Sequence, residues 1–245
     1  MKDYEPEMSF GRDEAEAYRD MLRGDEAAAV DFLHRLAGNG PALELGIGGG
    51  RIALPLAHRG VRVDGVDISS AMIAVLKSRP GADRISVTRG SFADVPVEGT
   101  YGLVYVVWNT FFNLLTQAEQ VLCMKNVGRH LGIGGCFVVE AYVPAFLHRL
   151  SNQQYVQAEA VRVQEVRLDV LRHDSARQTI EESHVSLSPA GVRLNPVVQR
   201  YAWPAELDLM AQIAGLQLRE RWGGWNREAF DSESRLHVSV YEKRT

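Results

Sequence analysis

Several functional classes are excluded by what this chain lacks. It has only two cysteines, Cys123 and Cys136, and they form no CxxC pair. Both sit in apolar helix-like or strand-like runs, so neither zinc nor a disulfide framework is suggested and reduced, partly buried thiols are expected. Lysine and arginine number 27 against 31 aspartates and glutamates, for a formal charge of -4. No basic cluster is dense enough to follow a phosphate backbone, so nucleic acid is not an expected partner. No apolar run approaches the roughly 20 residues of a membrane span, and the opening MKDYEPEMSF is acidic where a signal peptide would be basic and then apolar. A soluble, cytoplasmic protein without membrane contact is the expectation. Low-complexity tracts, internal repeats and flexible linkers are also missing.

What is there suits one catalytic domain carrying an insertion: 245 residues, 46% of them apolar, can bury a substantial core. Short apolar runs at 42–45, 61–66, 85–88, 103–107 and 136–141 alternate with the helical patterns RIALPLAHR, SSAMIAVLKSR and QAEQVLCMKNVGRHL. That alternation predicts βαβ units around a parallel sheet. Asp67 and Ser69 are candidate caps for the second helix, and the third starts near Thr116. Beyond residue 151 the period changes. AVRVQEVRLDVLRHD, RQTIEESHVSLSP and GVRLNPVVQRYAW alternate apolar and polar residues around the turns DSA and SPAG, which predicts a three-stranded antiparallel meander. A helix, PAELDLMAQIAG, and two strands, LQLRERW and RLHVSVYEK, then complete the main sheet. The expected division is a main domain of 1–150 and 204–245 with a cap of 151–203 for substrate or dimer contacts, its exposed edges open to a second copy.

The densest chemical signal is ALELGIGGGR at 42–51, an acidic residue followed by four glycines in five positions. Glycine accepts positive φ and has no Cβ, so such a strand-to-helix turn lets the backbone approach a ligand closely. A dinucleotide fold spaces its glycines G-x-G-x-x-G, and Arg51 stands where the third would fall, which opposes an NAD(P)-dependent oxidoreductase. Asp67, about 20 residues on and at the end of the second predicted strand, can accept hydrogen bonds from both hydroxyls of a ribose or cap the next helix.

The run E-L-G-I-G-G-G-R resembles motif I of the class I S-adenosylmethionine (SAM) dependent methyltransferases. The resemblance spans roughly 10–145 and the terminal strands, and implies a Rossmann-like α/β fold: a seven-stranded, mostly parallel sheet with an inserted antiparallel β cap. The layout is similar to glycine and amino-sugar N-methyltransferases, which implies SAM as cofactor, a small-molecule acceptor and transfer to N or O; no acidic cluster of the kind that would hold magnesium follows the fourth predicted strand, so no metal is expected. The rival from another class is a SAM-binding regulatory module that performs no transfer. The resemblance further implies that Glu44, Gly46, Ile47, Gly48, Gly50 and Arg51 cradle the amino-acid end. Tyr18, from an N-terminal segment folded over the cofactor, covers that end. Asp67 takes the ribose, with Ile68 and Met72 against the adenine. Ser91 and Phe92 supply the adenine turn, with Asp94 as alternative, and Val107, Trp108 and Asn109 lie beside the methionine moiety. Since open α/β sheets bind ligands beyond the carboxyl ends of their strands, Asn109, Tyr142, Trp222, Trp225 and Arg227 are candidate acceptor contacts. No catalytic residue is assigned. Among the seven histidines His148 is the candidate base, with Asn109 a candidate for positioning the methyl acceptor.

Overall fold

A computed structural model of the chain describes residues 1, 3–19 and 21–244. The main sheet contains β1 (Ala42–Leu45), β2 (Val63–Asp67), β3 (Ser86–Arg89), β4 (Tyr101–Val106), β5 (Leu131–Tyr142), β10 (Leu216–Trp222) and β11 (Leu236–Lys243). A second sheet lies between β5 and β10 in sequence: β6 (Gln154–Val161), β7 (Val166–Asp174), β8 (Thr179–Ser188) and β9 (Gly191–Arg200). The helices are α1 (Arg12–Tyr18), α2 (Glu26–Ala37), α3 (Ala53–His58), α4 (Ser70–Lys77), α5 (Gln117–His130) and α6 (Pro204–Ile213).

The main sheet has the order β10-β11-β5-β4-β1-β2-β3. Strands β3, β2, β1, β4 and β5 are mutually parallel, and β11 runs antiparallel between β5 and β10. The chain moves outward from β1 on one side through β2 and on the other through β4, so a crevice opens beyond the carboxyl ends of β1 and β4. Alternation along the strands sorts the core into two layers. Leu43, Val104 and Phe137 face α5 and α6, whereas Leu103, Tyr105 and Val138 face α2 and α3.

Local chemistry fixes where the helices start. Thr116 Oγ1 accepts from the Glu119 N–H at 3.1 Å while Glu119 accepts from the Thr116 N–H at 2.9 Å, a reciprocal cap for α5. Ser69 caps α4 by accepting from the Met72 N–H at 3.1 Å, leaving Asp67 for another task. Pro55 lies in the first turn of α3, where its missing N–H costs nothing.

The cap corrects the sequence reading, having four strands, not three. AVRVQEVRLDVLRHD contains the end of β6, a hairpin turn closed by the Arg162 N–H donating to the Glu165 carbonyl at 2.8 Å, and β7. That turn has no glycine, proline or asparagine to announce it, and most of β6 is exposed, so no buried face marks the strand. The outward face of the cap carries exposed Val156, Val170, Val192 and Leu194. No described helix is long and apolar enough to cross a membrane.

Candidate active site

At the crevice lies a cavity of about 320 Å³, within the range of small-molecule sites. Its floor is the turn after β1. Gly46, Gly48 and Gly50 have φ of 70°, 52° and 76°, a region that L side chains rarely adopt. Their tasks differ. A Cβ on Gly48 would meet nothing and project into open space, the property of a backbone made for close approach to a ligand. A Cβ on Gly46 would run into the Thr110 methyl, and one on Gly50 into Leu76 of α4. Gly50 does not line the cavity, which corrects its expected cofactor contact; it permits helix packing behind the cradle.

Asp67 holds this floor from β2. One carboxylate oxygen accepts from the Gly48 N–H at 2.7 Å and the other from the Ser69 N–H at 2.8 Å. Burial pushes its pKa up, opposed by these backbone donors. Glu44 lies beneath, fully buried, and burial pushes its carboxyl up to about 8 although the Tyr105 hydroxyl donates to it at 3.0 Å. Asp64, the other acid of β2, turns away and accepts from Tyr101. Ile47, Ile68, Met72, Ser91 and Phe92 line the same cavity, and Asp94 does not.

The opposite wall follows β4. Trp108 and Asn109 are consecutive non-glycine residues at positive φ, 55° and 61°, a strained pair that its surroundings must hold in place. They do so through β5: Glu140 accepts from the Trp108 N–H at 2.8 Å, and Asn109 Oδ1 accepts from the Tyr142 N–H at 2.7 Å. Glu140 is itself buried and paired with Arg23 at 2.7 Å. Val107, Trp108, Tyr18 and Arg51 therefore meet in one corner, with the Tyr18 and Trp108 rings edge to face at 5.5 Å and the Arg51 guanidinium 3.9 Å from the Trp108 ring centre. Arg51 also pairs with Glu26 at 2.9 Å.

Other residues singled out from sequence lie off the cavity wall. Asn109 spends its Oδ1 on the β5 backbone, which helps to position Trp108. His148 sits in a separate aromatic group, 5.3 Å from His173 and 5.5 Å from Trp203, with Tyr201 3.3 Å from its Nε2. The strand β10 does deliver Trp222, Trp225 and Arg227 to the carboxyl end of the sheet, but they pack on α2: Trp225 meets Phe32 edge-on at 5.5 Å, and Arg227 lies over Phe32 and Trp222. Tyr142 packs on Phe112 and Phe146, also outside this cavity. Conversely, the cavity includes Tyr4, Phe10, Arg79, Thr110 and Glu119, which no motif announces. Glu140 has one signal, an acid inside the apolar strand FVVEAY.

A methyltransferase-domain model matches residues 42–135. The CcbJ methyltransferase from Streptomyces caelestis superposes with a TM-score of 0.91 at 38% identity, over 99% of this chain and 100% of that one. The chain belongs to the class I SAM-dependent methyltransferase family. The cypemycin N-terminal methyltransferase of a Streptomyces species is 26% identical over 213 residues, 86% of each chain. CalS10, an amino pentose methyltransferase from Micromonospora echinaspora, shares the fold with a TM-score of 0.70 at 21% identity, covering 94% of this chain and 95% of that one. The protein is thus an enzyme whose cofactor is SAM, and the oxidoreductase alternative is not favoured.

The cavity itself fits that cofactor. Gly48 leaves open the space a Cβ would fill, Asp67 offers a carboxylate at the end of β2, and Arg51 and Glu44 line the part of the cavity suited to an amino-acid group.

Proposed function

We propose that the enzyme methylates an amine nitrogen of a small molecule. The observation that carries this reading is the acidic lining beside Tyr18: Glu14 and Glu159 line a neighbouring cavity that Tyr18 also borders, a setting that draws a cationic amine. Burial raises the Tyr18 pKa, so that phenol stays protonated at neutral pH and does not serve as a base. A hydroxyl acceptor would need a base within hydrogen-bond reach, whereas an amine presents its own lone pair once it has lost a proton. The relatives lend support. The cypemycin enzyme is named for N-terminal methylation and CalS10 for an amino pentose, so both act on compounds that contain amines.

Bound SAM supplies a methyl group made electrophilic by its sulfonium. In this reading Gly48 and Asp67 fix the cofactor's position, Arg51 and Glu44 orient its amino-acid end, and Tyr18 with Trp108 closes the corner against water. Alignment and exclusion of water are the main contributions asked of the protein. The cap, with the edge of α1, bounds the acceptor side, and the two buried free thiols suit a reducing, cytoplasmic setting.

Parallel calorimetric titrations with SAM, S-adenosylhomocysteine and NADH, followed by transfer of labelled methyl to a panel of amines and matched alcohols, test the reading. Saturable binding of the first two and label on amines alone is the expected result. Label confined to alcohols would overturn nitrogen as the acceptor, and NADH binding alone would overturn the cofactor.

A further inference from the structure

Tyr18 lines two spaces. One is the cofactor cavity; the other is a second cavity of about 260 Å³, between α1 and the cap, lined by Tyr18, Glu14, Glu159, His184 and Asn195 among others. The cap register shows which side chains share a face with His184. Leu171 of β7 pairs with Glu182 of β8, and Asp169 with His184, so all four share one face, and the burial of Leu171 marks that face as the inner one.

Acidic side chains gather there. His184 Nδ1 lies 2.7 Å from Asp169 Oδ1, and Glu159, Asp169 and His184 each bring an atom within 4.8 Å of the others. Tyr155 lies against the Glu182 carboxylate. Arginines at the rim are already engaged, Arg167 with Glu165 and Arg193 with Asp13. Glu14, Glu159, Asp169 and Glu182 outnumber the cations near them, Arg167, Arg193 and His184, the last with a pKa that burial tends to lower and the Asp169 hydrogen bond and Glu182 charge raise. The space has surplus negative charge.

An independent feature points to a missing partner. The Tyr142 hydroxyl at the end of β5 is fully shut off from water yet has no hydrogen-bond partner among the described residues, and it lies within electrostatic reach of Glu182 and Tyr155. A buried polar group left unpaired carries a desolvation penalty, which a ligand's donor or acceptor would recover. Tyr18 lies within reach of Arg51 on its cofactor side and of Glu182 and Glu159 on its cap side.

We propose that the region between Tyr18, Tyr142 and Glu182 is the amine subsite of the acceptor, in which Glu182 pairs with a cationic ammonium and the phenol rings flank it. This rests on the N-methylation reading and adds the recognising groups. It also gives the proton a destination. The bound ammonium passes one N–H proton to the Glu182 carboxylate, whose burial raises its proton affinity. The freed lone pair forms the N–C bond while the C–S bond breaks with its electron pair left on sulfur. The product nitrogen is again cationic, and Glu182 releases its proton to solvent.

Piperidinium and its neutral isostere tetrahydropyran serve as test ligands, titrated by ligand-observed NMR into the full-length protein saturated with S-adenosylhomocysteine. The expectation is saturable piperidinium binding at least tenfold tighter than tetrahydropyran, weakened at least tenfold by Glu182→Gln while S-adenosylhomocysteine affinity stays within twofold. Equal binding of the two rings, no piperidinium binding, or an unchanged affinity in Glu182→Gln would each overturn the subsite. Because the ring comparison uses the unaltered protein, misfolding of the variant cannot mask a failure. Amine methylation that survives while these arms fail would reject the subsite and leave the N-methylation reading standing.

Discussion

The two walls around Tyr18 are built on different principles. The cofactor wall is made mostly of backbone: a glycine turn at positive φ, two N–H groups donating to Asp67, and strand ends from β1, β2 and β4. The cap wall is made of side chains presented across antiparallel strands, with Glu182, His184 and Asp169 brought together by register. A backbone cradle fits a constant ligand and tolerates few changes. A side-chain wall can change its ligand by substitution without disturbing the sheet that carries it.

The largest way to test that contrast is Gly48→Val. The new side chain would enter the open space of the cavity from a backbone at φ 52°, and SAM affinity should fall more than about 100-fold, roughly 3 kcal/mol, by calorimetry. Retained binding would mean that the cradle is not where the cofactor lies. Asp67→Ala should cost about 1 to 3 kcal/mol of SAM affinity, since it removes a charged acceptor and frees the Gly48 and Ser69 N–H groups together. An unaltered dissociation constant in a folded variant would remove Asp67 from the site.

Glu44 offers a smaller test, read through pH. Its folded pKa of about 8 lies above the usual 4.5, so folding favours the neutral carboxyl. Its contribution is fully present below about 4.5 and is lost as pH rises toward 8. Relative to Glu44→Gln, the ligand-free native protein should therefore lose stability across that window, by at most about 1.4 kcal/mol per pH unit. Parallel melting temperatures for the two proteins from pH 5 to 8 would mean that Glu44 does not titrate there. The smallest expected effect is that of His148→Ala: an exposed residue away from both walls should change methyl transfer by less than about twofold, or 0.5 kcal/mol. A large drop in kcat would return it to the chemistry.

The same contrast explains how much of the fold and the site is legible in the sequence. Backbone sites depend on glycine spacing and on an acid at a strand end, and those leave a pattern: Glu44, Gly46, Gly48, Asp67 and the adenine-side residues Ile68 and Met72 all reach the cavity. Gly50 belongs to the pattern but works in packing, because one glycine run serves both ligand approach and helix contact. The order of the parallel elements is readable because buried strands and capped helices have distinct periods. β6 is not, since an exposed strand has no face to bury. Asn109 and His148 mislead for a common reason: proximity in sequence to a strand end does not say which way a side chain turns, and Asn109 turns onto the Tyr142 backbone. The Trp222, Trp225 and Arg227 group does lie at the expected end of the sheet but beside α2, a neighbour that the strand order alone does not reveal.

Residues 4–10 tie these halves together. Ser69 Oγ at the start of α4 donates to the Phe10 carbonyl at 2.6 Å, and Ser9 Oγ donates to the Pro196 carbonyl of β9 at 2.7 Å, while Tyr4 and Phe10 line the cofactor cavity. This segment is stitched to both banks of the crevice by adjacent residues. A displacement that breaks the Phe10 contact with α4 must also strain the Ser9 contact with β9, so the cofactor side and the cap are mechanically coupled through two neighbouring residues.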